Sequence, residues 1–187
     1  MIRCDVIRSI VPVIRDALVV CNIGLPSQEL FMHDDRPSNF YMLGTMGLAS
    51  SIGLGLALVQ KAKVVAIDGD GSVLTNLGTP PTIANNVADN FVLLIIDNGS
   101  YGSTGDQPTY AGKKTSLAAV ARACGCADVV ECAAEETADA LRAALASGRM
   151  TVIVAKCDSG NVPVSVIELD PGVIRHHFME EVARRNG

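Results

Sequence analysis

Apolar residues along the chain fall into short, unbroken runs rather than into an alternating pattern. Two of these runs cover residues 64–67 and 91–96, and acidic, amide and small residues follow each of them. Continuous apolar runs of this length predict strands that are buried on both faces, as in parallel sheets. Further short strands are predicted at residues 17–21, 40–43, 128–131 and 151–155.

Segments with helical spacing of apolar residues separate these strands. Helices are predicted over residues 4–16, where Pro12 is expected to kink the helix or end it early, and over residues 44–60, 116–124 and 135–147. Helical material up to residue 89 is interrupted by Pro80-Pro81, and a closing amphipathic helix starts at Asp170-Pro171. Ser27 is predicted to cap one more short helix. Because strands and helices alternate, the chain is predicted to be an α/β protein. The expected architecture is one domain over residues 1–187, a doubly wound, mainly parallel sheet with helices on both faces.

Residues 41–60 contain no charged side chain and are long enough to cross a bilayer. They also contain four glycines together with threonine and serine, which makes the segment only weakly hydrophobic. It directly precedes a predicted buried strand. The interpretation is therefore a helix of small residues packed inside the protein, with no contact to a membrane.

The composition narrows the possible partners and the compartment. A net charge of −5 and a pI near 5.1 argue against nucleic acid as the main partner. With 49% hydrophobic and 19% charged residues, the chain is expected to have a large subunit interface in addition to its core. Its six cysteines form no CxxC pair, which favours reduced thiols in a cytoplasmic protein.

Polar residues that suit a cation follow the two central strands. Asp68-Gly69-Asp70-Gly71-Ser72 follows the first strand and Asp97-Asn98-Gly99-Ser100 follows the second. The carboxyl ends of neighbouring parallel strands meet at one edge of a sheet, where such folds bind ligands. The two segments are therefore expected to place a carboxylate and an amide oxygen on a single hard cation. A glycine-rich polar loop then extends to residue 114, and loops of that length are usually functional.

Three other kinds of site could be encoded in this part of the sequence. A calcium-binding EF-hand loop fails, because Val73 and Thr79 stand where glycine and glutamate are required. A dinucleotide fingerprint at Gly53-Leu54-Gly55 lacks its third glycine and lies in a predicted helix. A phosphatase of the haloacid-dehalogenase type stays open, with Asp68 as nucleophile and Asp70 as general acid, although the later motifs of that family are not found.

The two segments taken together resemble the cofactor site of thiamine-diphosphate enzymes, in which G-D-G-S follows one strand and N-x-S follows the next. Asn98 lies 28 positions after Asp70. The resemblance implies that Mg²⁺ is held by the Asp70 carboxylate, the Asn98 side-chain oxygen and the Ser100 backbone carbonyl. It also implies that backbone N–H groups of Gly71 and Ser72 bind the diphosphate of the cofactor.

A second stretch, Gly44-Thr45-Met46-Gly47, carries the same resemblance. In this family such a stretch holds the aminopyrimidine ring, so the Gly44 carbonyl and the Met46 backbone N–H are expected to bond it. The Met46 side chain is expected to force the cofactor into its bent shape. The full set of expected cofactor-binding residues is Gly24, Ser27, Gly44, Thr45, Met46, Gly69, Asp70, Gly71, Ser72, Asn98, Ser100, Tyr101 and Gly102.

The resemblance covers only the diphosphate-binding half of such an enzyme. The pyrimidine-binding half, which supplies the glutamate that activates the cofactor, is expected on a separate α subunit in an α2β2 or larger hetero-oligomer. No catalytic residue is therefore assigned to this chain, and Glu29 and Glu168 are interpreted as surface or loop carboxylates. Three stretches, at residues 27–31, 35–47 and 101–109, are most like those members of the family that decarboxylate small anionic 2-oxo acids.

Overall fold

Strands and helices alternate along the computed structural model, which describes residues 1–186. The strands are β1 (Leu18–Cys21), β2 (Asn39–Tyr41), β3 (Val64–Gly69), β4 (Phe91–Asp97), β5 (Ser100–Tyr101), β6 (Gln107–Pro108), β7 (Asp128–Ala133) and β8 (Thr151–Lys156). The α-helices are α1 (Arg3–Ile10), α2 (Leu25–Asp34), α3 (Ala49–Val59), α4 (Asp70–Thr75), α5 (Thr79–Asn85), α6 (Leu117–Ala123), α7 (Thr137–Ser147) and α8 (Pro171–Asn186). Short 3₁₀ turns cover Gly102–Thr104 and Ala134–Glu136.

Six strands form one parallel sheet in the order β2-β1-β3-β4-β8-β7. The remaining two, β5 and β6, form a small antiparallel pair inside the glycine-rich loop. Strands β3 and β4 are buried almost throughout, as their unbroken apolar runs predict. The doubly wound α/β fold expected from the sequence is therefore confirmed.

The two faces of the sheet have separate cores. Successive side chains of a strand point to opposite faces, so Val92 and Leu94 of β4 pack with α1 and α7, whereas Leu93 and Ile95 pack with α3 and α6. Phe91 lies on the second face and is fully buried. Helix α8 packs beside edge strand β2 and buries Ile174, Phe178 and Val182, one turn apart, as expected of an amphipathic helix.

The order of the strands reverses between β1 and β3. The chain leaves β1 through α2 toward β2 on one side, and later returns to add β3 on the other side. The crevice between the carboxyl ends of two such strands is where open α/β sheets bind their ligands. The segments that follow β1 and β3 begin at Asn22 and Asp70, which places both residues at this crevice.

The prolines determine where two of the helices end and begin. Helix α1 ends at Ile10 and does not reach residue 16, which is the early break expected at Pro12, because the proline ring is incompatible with a continued helix. Pro80 and Pro81 lie in the first turn of α5 and begin it rather than interrupt it. The first backbone amides of a helix have no hydrogen-bond partner within it, so a proline at these positions removes no hydrogen bond.

Two further predictions at helix starts are wrong. Helix α3 begins at Ala49 and not at residue 44, and Gly47 just before it adopts a left-handed φ of 90°. Helix α2 begins at Leu25, so Ser27 lies inside it and does not cap it. The Ser27 hydroxyl instead donates to the carbonyls of Cys21 and Asn22, at 3.1 and 2.7 Å. Among residues 1–186, no helix combines the length and the apolar character needed to cross a membrane.

Candidate functional site

A cavity of about 170 Å³ opens at the carboxyl ends of β1, β3 and β4, next to the point where the strand order reverses. Its walls come from α1, from the segments after these three strands and from the short β5–β6 hairpin. The lining residues are Arg3, Asn22, Ile23, Pro26, Met46, Gly69, Asp70, Gly71, Ser72, Ile96, Asn98, Ser100, Tyr101, Gly102, Ser103 and Thr104. The cavity therefore brings together both strand ends that the sequence singled out.

Asp70 is the first residue of α4 and faces this cavity, although its side chain is almost fully buried. Its Oδ2 accepts a hydrogen bond from the hydroxyl of Thr109, in the loop after β6. The pKa of the Asp70 carboxyl is raised to about 6, chiefly by burial, with the Thr109 hydroxyl lowering it and the negative charge of Asp97 raising it. A carboxylate in such surroundings is stabilised when a cation lies beside it.

Asn98 and Ser100 follow β4 on the same side of the cavity. The Oδ1 atom of Asn98 accepts a hydrogen bond from the Ser100 backbone N–H at 3.1 Å, and an amide oxygen has a second lone pair for a cation. The Asn98 Nδ2 atom is buried and has no hydrogen-bond partner within the described chain. A buried amide donor without a partner is costly, so it indicates a place for a ligand that accepts hydrogen bonds.

Gly71 lies directly against the ring of Tyr101. A Cβ atom added at Gly71 would lie 2.3 Å from Cε1 of Tyr101, which leaves room for glycine alone. Gly69, one residue before Asp70, has no such crowding, since the nearest atom to an added Cβ is Nδ2 of Asn22 at 3.7 Å. The backbone at Gly69 is thus open to close approach of a ligand, whereas the glycine at position 71 makes room for the ring of Tyr101.

The side chain of Ser72 joins three segments around the cavity. Its Oγ accepts from the Gly47 backbone N–H at 2.9 Å and donates to Oδ1 of Asn22 at 3.2 Å. Asn76 donates in turn to the Gly47 carbonyl at 2.9 Å. The Ser72 hydroxyl therefore positions the segment before α3 relative to the ends of β1 and β3.

The other expected cofactor-binding residues lie at different distances from the cavity. Met46 lines it and is 38% exposed, whereas Gly44 and Thr45 are exposed and lie outside its lining. Gly24 and Ser27 also lie outside it, and together they line a separate depression beside Leu43, Val166 and Ile167. The structure thus brings nine of the thirteen expected residues into one cavity: Met46, Gly69, Asp70, Gly71, Ser72, Asn98, Ser100, Tyr101 and Gly102.

Three residues at the site were not found from the sequence: Arg3, Glu29 and Thr109. Glu29, interpreted above as a surface or loop carboxylate, is fully buried and forms a two-point ion pair with Arg3, at 2.8 and 2.9 Å. That interpretation of Glu29 is wrong. Arg3 lies on the same face of α1 as Ile7 and Ile10, and a charged residue on an apolar helix face was the available signal for a buried ion pair. Thr109, the partner of Asp70, carried no comparable signal.

Asp68 does not lie in the cavity. It shares the face of β3 that carries Val64 and Ala66, is 1% exposed, and accepts a hydrogen bond from the Gly69 N–H at 3.0 Å. Burial raises the pKa of its carboxyl to about 6. The phosphatase interpretation needs Asp68 beside Asp70 as a nucleophile open to substrate, and this placement excludes it.

The raised pKa values predict a pH dependence of stability for the metal-free chain. A folded carboxyl with a raised pKa holds its proton better than the unfolded chain does, so stability is highest below the ordinary pKa near 4. We expect the free energy of unfolding to fall as pH rises from about 4 to above 6, by about 3 kcal/mol for each of Asp68 and Asp70. Urea unfolding at a series of pH values measures this, and Asp68→Asn is expected to remove part of the slope. A flat profile would contradict it.

Residues 24–155 match the family described as the C-terminal TPP binding domain of thiamine pyrophosphate enzymes. The chain belongs to this family. Its cavity has the oxygen donors, the unpaired buried amide of Asn98 and the open backbone at Gly69 that suit a metal-bound diphosphate.

Known proteins resemble the chain over 74% to 97% of its length. It is 47% identical over 183 residues to the sulfopyruvate decarboxylase subunit beta of Methanocaldococcus jannaschii, covering 97% of each chain. It is 45% identical over 140 residues to the phosphonopyruvate decarboxylase of Streptomyces viridochromogenes, covering 74% of this chain and 35% of that protein. The 2-oxoglutarate:ferredoxin oxidoreductase of Magnetococcus marinus has the same fold, with a TM-score of 0.70, 15% identity and coverage of 94% of this chain and 74% of that one.

Proposed function

We propose that the chain is the β subunit of a sulfopyruvate decarboxylase, which together with an α subunit converts 3-sulfopyruvate into sulfoacetaldehyde and CO₂ in coenzyme M biosynthesis. The observation that carries this is a near-full-length similarity, 47% over 97% of both chains, to a subunit of that name. The cavity at the ends of β3 and β4 supplies the chemistry such a subunit needs, since Asp70 and Asn98 lie on its walls.

The residues of the cavity hold the cofactor in this proposal. The Asp70 carboxylate, the Asn98 side-chain oxygen and the Ser100 carbonyl bind Mg²⁺, which prefers a few oxygen ligands together with phosphate oxygens. Backbone N–H groups of Gly71 and Ser72 donate to the diphosphate. Thiamine diphosphate, when bound, supplies the carbon nucleophile and the electron sink for loss of CO₂. Met46, partly exposed at the cavity, supports the rings of the cofactor.

The remaining expected cofactor contacts belong to the mouth of the cavity. Gly44 and Thr45 lie exposed beside Met46, where the pyrimidine ring would be bonded by the Gly44 carbonyl and the Met46 N–H. Gly24 adjoins the cavity, because a Cβ added there would lie 3.2 Å from Oγ of Ser103, which lines it. Ser27 acts only indirectly, by holding the carbonyl of Asn22.

The activating acid belongs to a partner in this proposal. Among the described residues that line the cavity, Asp70 is the sole carboxylate, and it is committed to the metal. The glutamate that activates the cofactor is therefore placed on an α subunit with a pyrimidine-binding domain, in an α2β2 or larger assembly. Leu43 and Val166, exposed by 51% and 71% at the depression beside Gly24, give this side of the molecule an apolar surface for such a partner.

An assay of CO₂ release tests the division of the site. We expect no release from 3-sulfopyruvate by this chain alone or by the α chain alone, and release when the two are mixed with Mg²⁺ and thiamine diphosphate. The reason is that metal ligands and activating acid lie on different chains. Activity of this chain alone would contradict the shared site, and an inactive mixture in which both chains are folded would contradict the proposed function.

Phosphonopyruvate is the second candidate substrate, favoured by the 45% identity to a phosphonopyruvate decarboxylase. Sulfonate and phosphonate groups both require donors of hydrogen bonds and differ in charge. Offering the two substrates together to the mixed subunits, and measuring sulfoacetaldehyde against phosphonoacetaldehyde, distinguishes them. We expect sulfoacetaldehyde to be the main product.

A further inference from the structure

Arg3 lines the cavity from the N-terminal end of α1, and neither the sequence motifs nor the proposed function assigns it a role. It is 6% exposed. Its Nε and Nη2 atoms donate to the two carboxylate oxygens of Glu29, and Nη2 also donates to Oδ1 of Asn161 at 3.0 Å. The guanidinium plane is therefore fixed from one side, by a carboxylate that is itself fully buried.

The opposite corner of the guanidinium is free within the described chain. Nη1 of Arg3 donates to no protein atom there, and it lies next to Gly102, since a Cβ added at Gly102 would be 3.4 Å from it. Gly102 also lines the cavity. Nη1, with its two N–H groups, is therefore the part of this largely buried cation that no protein atom of the described chain pairs. Because Arg3 lines the cavity, these N–H groups are available to an acceptor that binds there.

The positive charge of Arg3 favours an anion as the acceptor. Among the described residues that line the cavity, Arg3 is the only cation and Asp70 the only anion. Glu29 lies behind Arg3 and away from the lining, so the ion pair turns its positive end toward the cavity. A guanidinium with a free edge is well suited to phosphate oxygens, which accept two parallel hydrogen bonds from it.

We propose that Arg3 binds the diphosphate of the cofactor through Nη1, while Glu29 and Asn161 hold the guanidinium in place. This rests on the proposed function. Asn161 also binds the neighbouring backbone, because its Nδ2 donates to the Gly102 carbonyl at 2.9 Å. The same side chain thus fixes both the cation and the backbone of the β5–β6 loop beside it.

A pair of matched variants isolates the Arg3 cation without leaving a buried charge. Arg3→Met alone would strand Glu29, so Glu29→Gln serves as the reference and Arg3→Met/Glu29→Gln as the test, each first shown to be folded by circular dichroism. Each variant is mixed with the α chain and titrated calorimetrically with thiamine diphosphate and Mg²⁺. We expect the double variant to bind about 10- to 100-fold more weakly than the reference, the range for loss of a hydrogen bond to a charged group.

Two further titrations exclude a purely structural effect. Mg²⁺ with inorganic pyrophosphate is expected to lose affinity by a similar factor, whereas unphosphorylated thiamine is expected to bind both variants equally. Arg3→Lys/Glu29→Gln, which keeps the charge, is expected to recover part of the affinity for the diphosphate.

The possible outcomes distinguish a failure of the role of Arg3 from a failure of the proposed function. Equal diphosphate affinity of the reference and the double variant would overturn the role of Arg3 and leave the proposed function intact. A higher KM for 3-sulfopyruvate with unchanged cofactor affinity would also overturn it, because the oxyanion at Arg3 would then be the sulfonate of the substrate. No cofactor binding and no decarboxylation by the unchanged subunits would overturn the proposed function itself.

Discussion

Asp70→Asn is expected to abolish the Mg²⁺-dependent binding of thiamine diphosphate, with a loss of affinity of more than about 100-fold. The substitution keeps the size of the side chain and its contact with Thr109, so it removes little besides the negative charge. Mg²⁺ depends on that charge, because a neutral amide is a weaker ligand for a hard cation. Calorimetric titration of the mixed subunits with cofactor, with and without Mg²⁺, measures the effect, and CO₂ release is expected to be lost in parallel.

Asp68→Asn is the matched control for this experiment. Asp68 lies two residues earlier and is equally buried, but it faces α3 and not the cavity. We expect its replacement to change cofactor affinity by no more than about threefold, in the range of substitutions away from the key contacts. Normal cofactor affinity in Asp70→Asn would refute its assignment as the metal ligand. The reverse pattern, with Asp68 essential for activity, is what a phosphatase would give.

Gly71→Ala is expected to have the second largest effect. The new methyl group would lie 2.3 and 2.7 Å from Cε1 and Cδ1 of Tyr101, so the ring and the β5–β6 hairpin that carries it must shift. Overpacking of this kind typically costs about 1–3 kcal/mol. The displaced hairpin contains Ser100, an expected metal ligand, so we expect cofactor affinity to fall at least about tenfold. Calorimetric titration and urea unfolding measure the two effects.

Two variants distinguish this clash from the general cost of a glycine substitution. Gly55→Ala adds the same methyl group in α3, where no atom lies within 4 Å, and is expected to stabilise the chain by about 0.5–1 kcal/mol with cofactor affinity unchanged. Because Tyr101 is itself an expected cofactor contact, the double variant Gly71→Ala/Tyr101→Ala is measured against Tyr101→Ala alone, and on that reference we expect the affinity lost through Gly71→Ala to be recovered. No recovery would show that the clash with Tyr101 is not the cause.

The sheet and the two central strand ends could be predicted because their signals are local. The run at 91–97 predicts β4 with the bounds that it has, since a strand buried on both faces needs an unbroken apolar sequence. Parallel pairing of β3 with β4 then places Asp70 and Asn98 at one edge. Helix starts were predicted less well. Pro80 lies in the first turn of α5, where the amides have no partner within the helix, and the sequence alone did not show that a helix begins there.

The Arg3–Glu29–Asn161 cluster could not be predicted in the same way. Its three residues are separated by 26 and 132 positions, and no spacing rule connects them. Glu29 in particular follows an ordinary loop sequence, and only the packing of α1 against α2 buries it. Burial of a carboxylate is tolerated when a partner supplies charge and hydrogen bonds, and that partner is set by tertiary structure.

The parallel sheet also has a consequence for how the chain folds. No two neighbouring strands of the six-stranded sheet are joined by a hairpin, so every pairing among them requires a crossover connection. Contacts between distant parts of a chain form slowly, because the entropy of loop closure is lost before they contribute. The cavity depends on such contacts, between Ser72 and Asn22 and between Asp70 and Thr109. Cofactor is therefore expected to bind only after the central strands have assembled. The rate at which cofactor binding recovers during refolding then measures the last steps of folding.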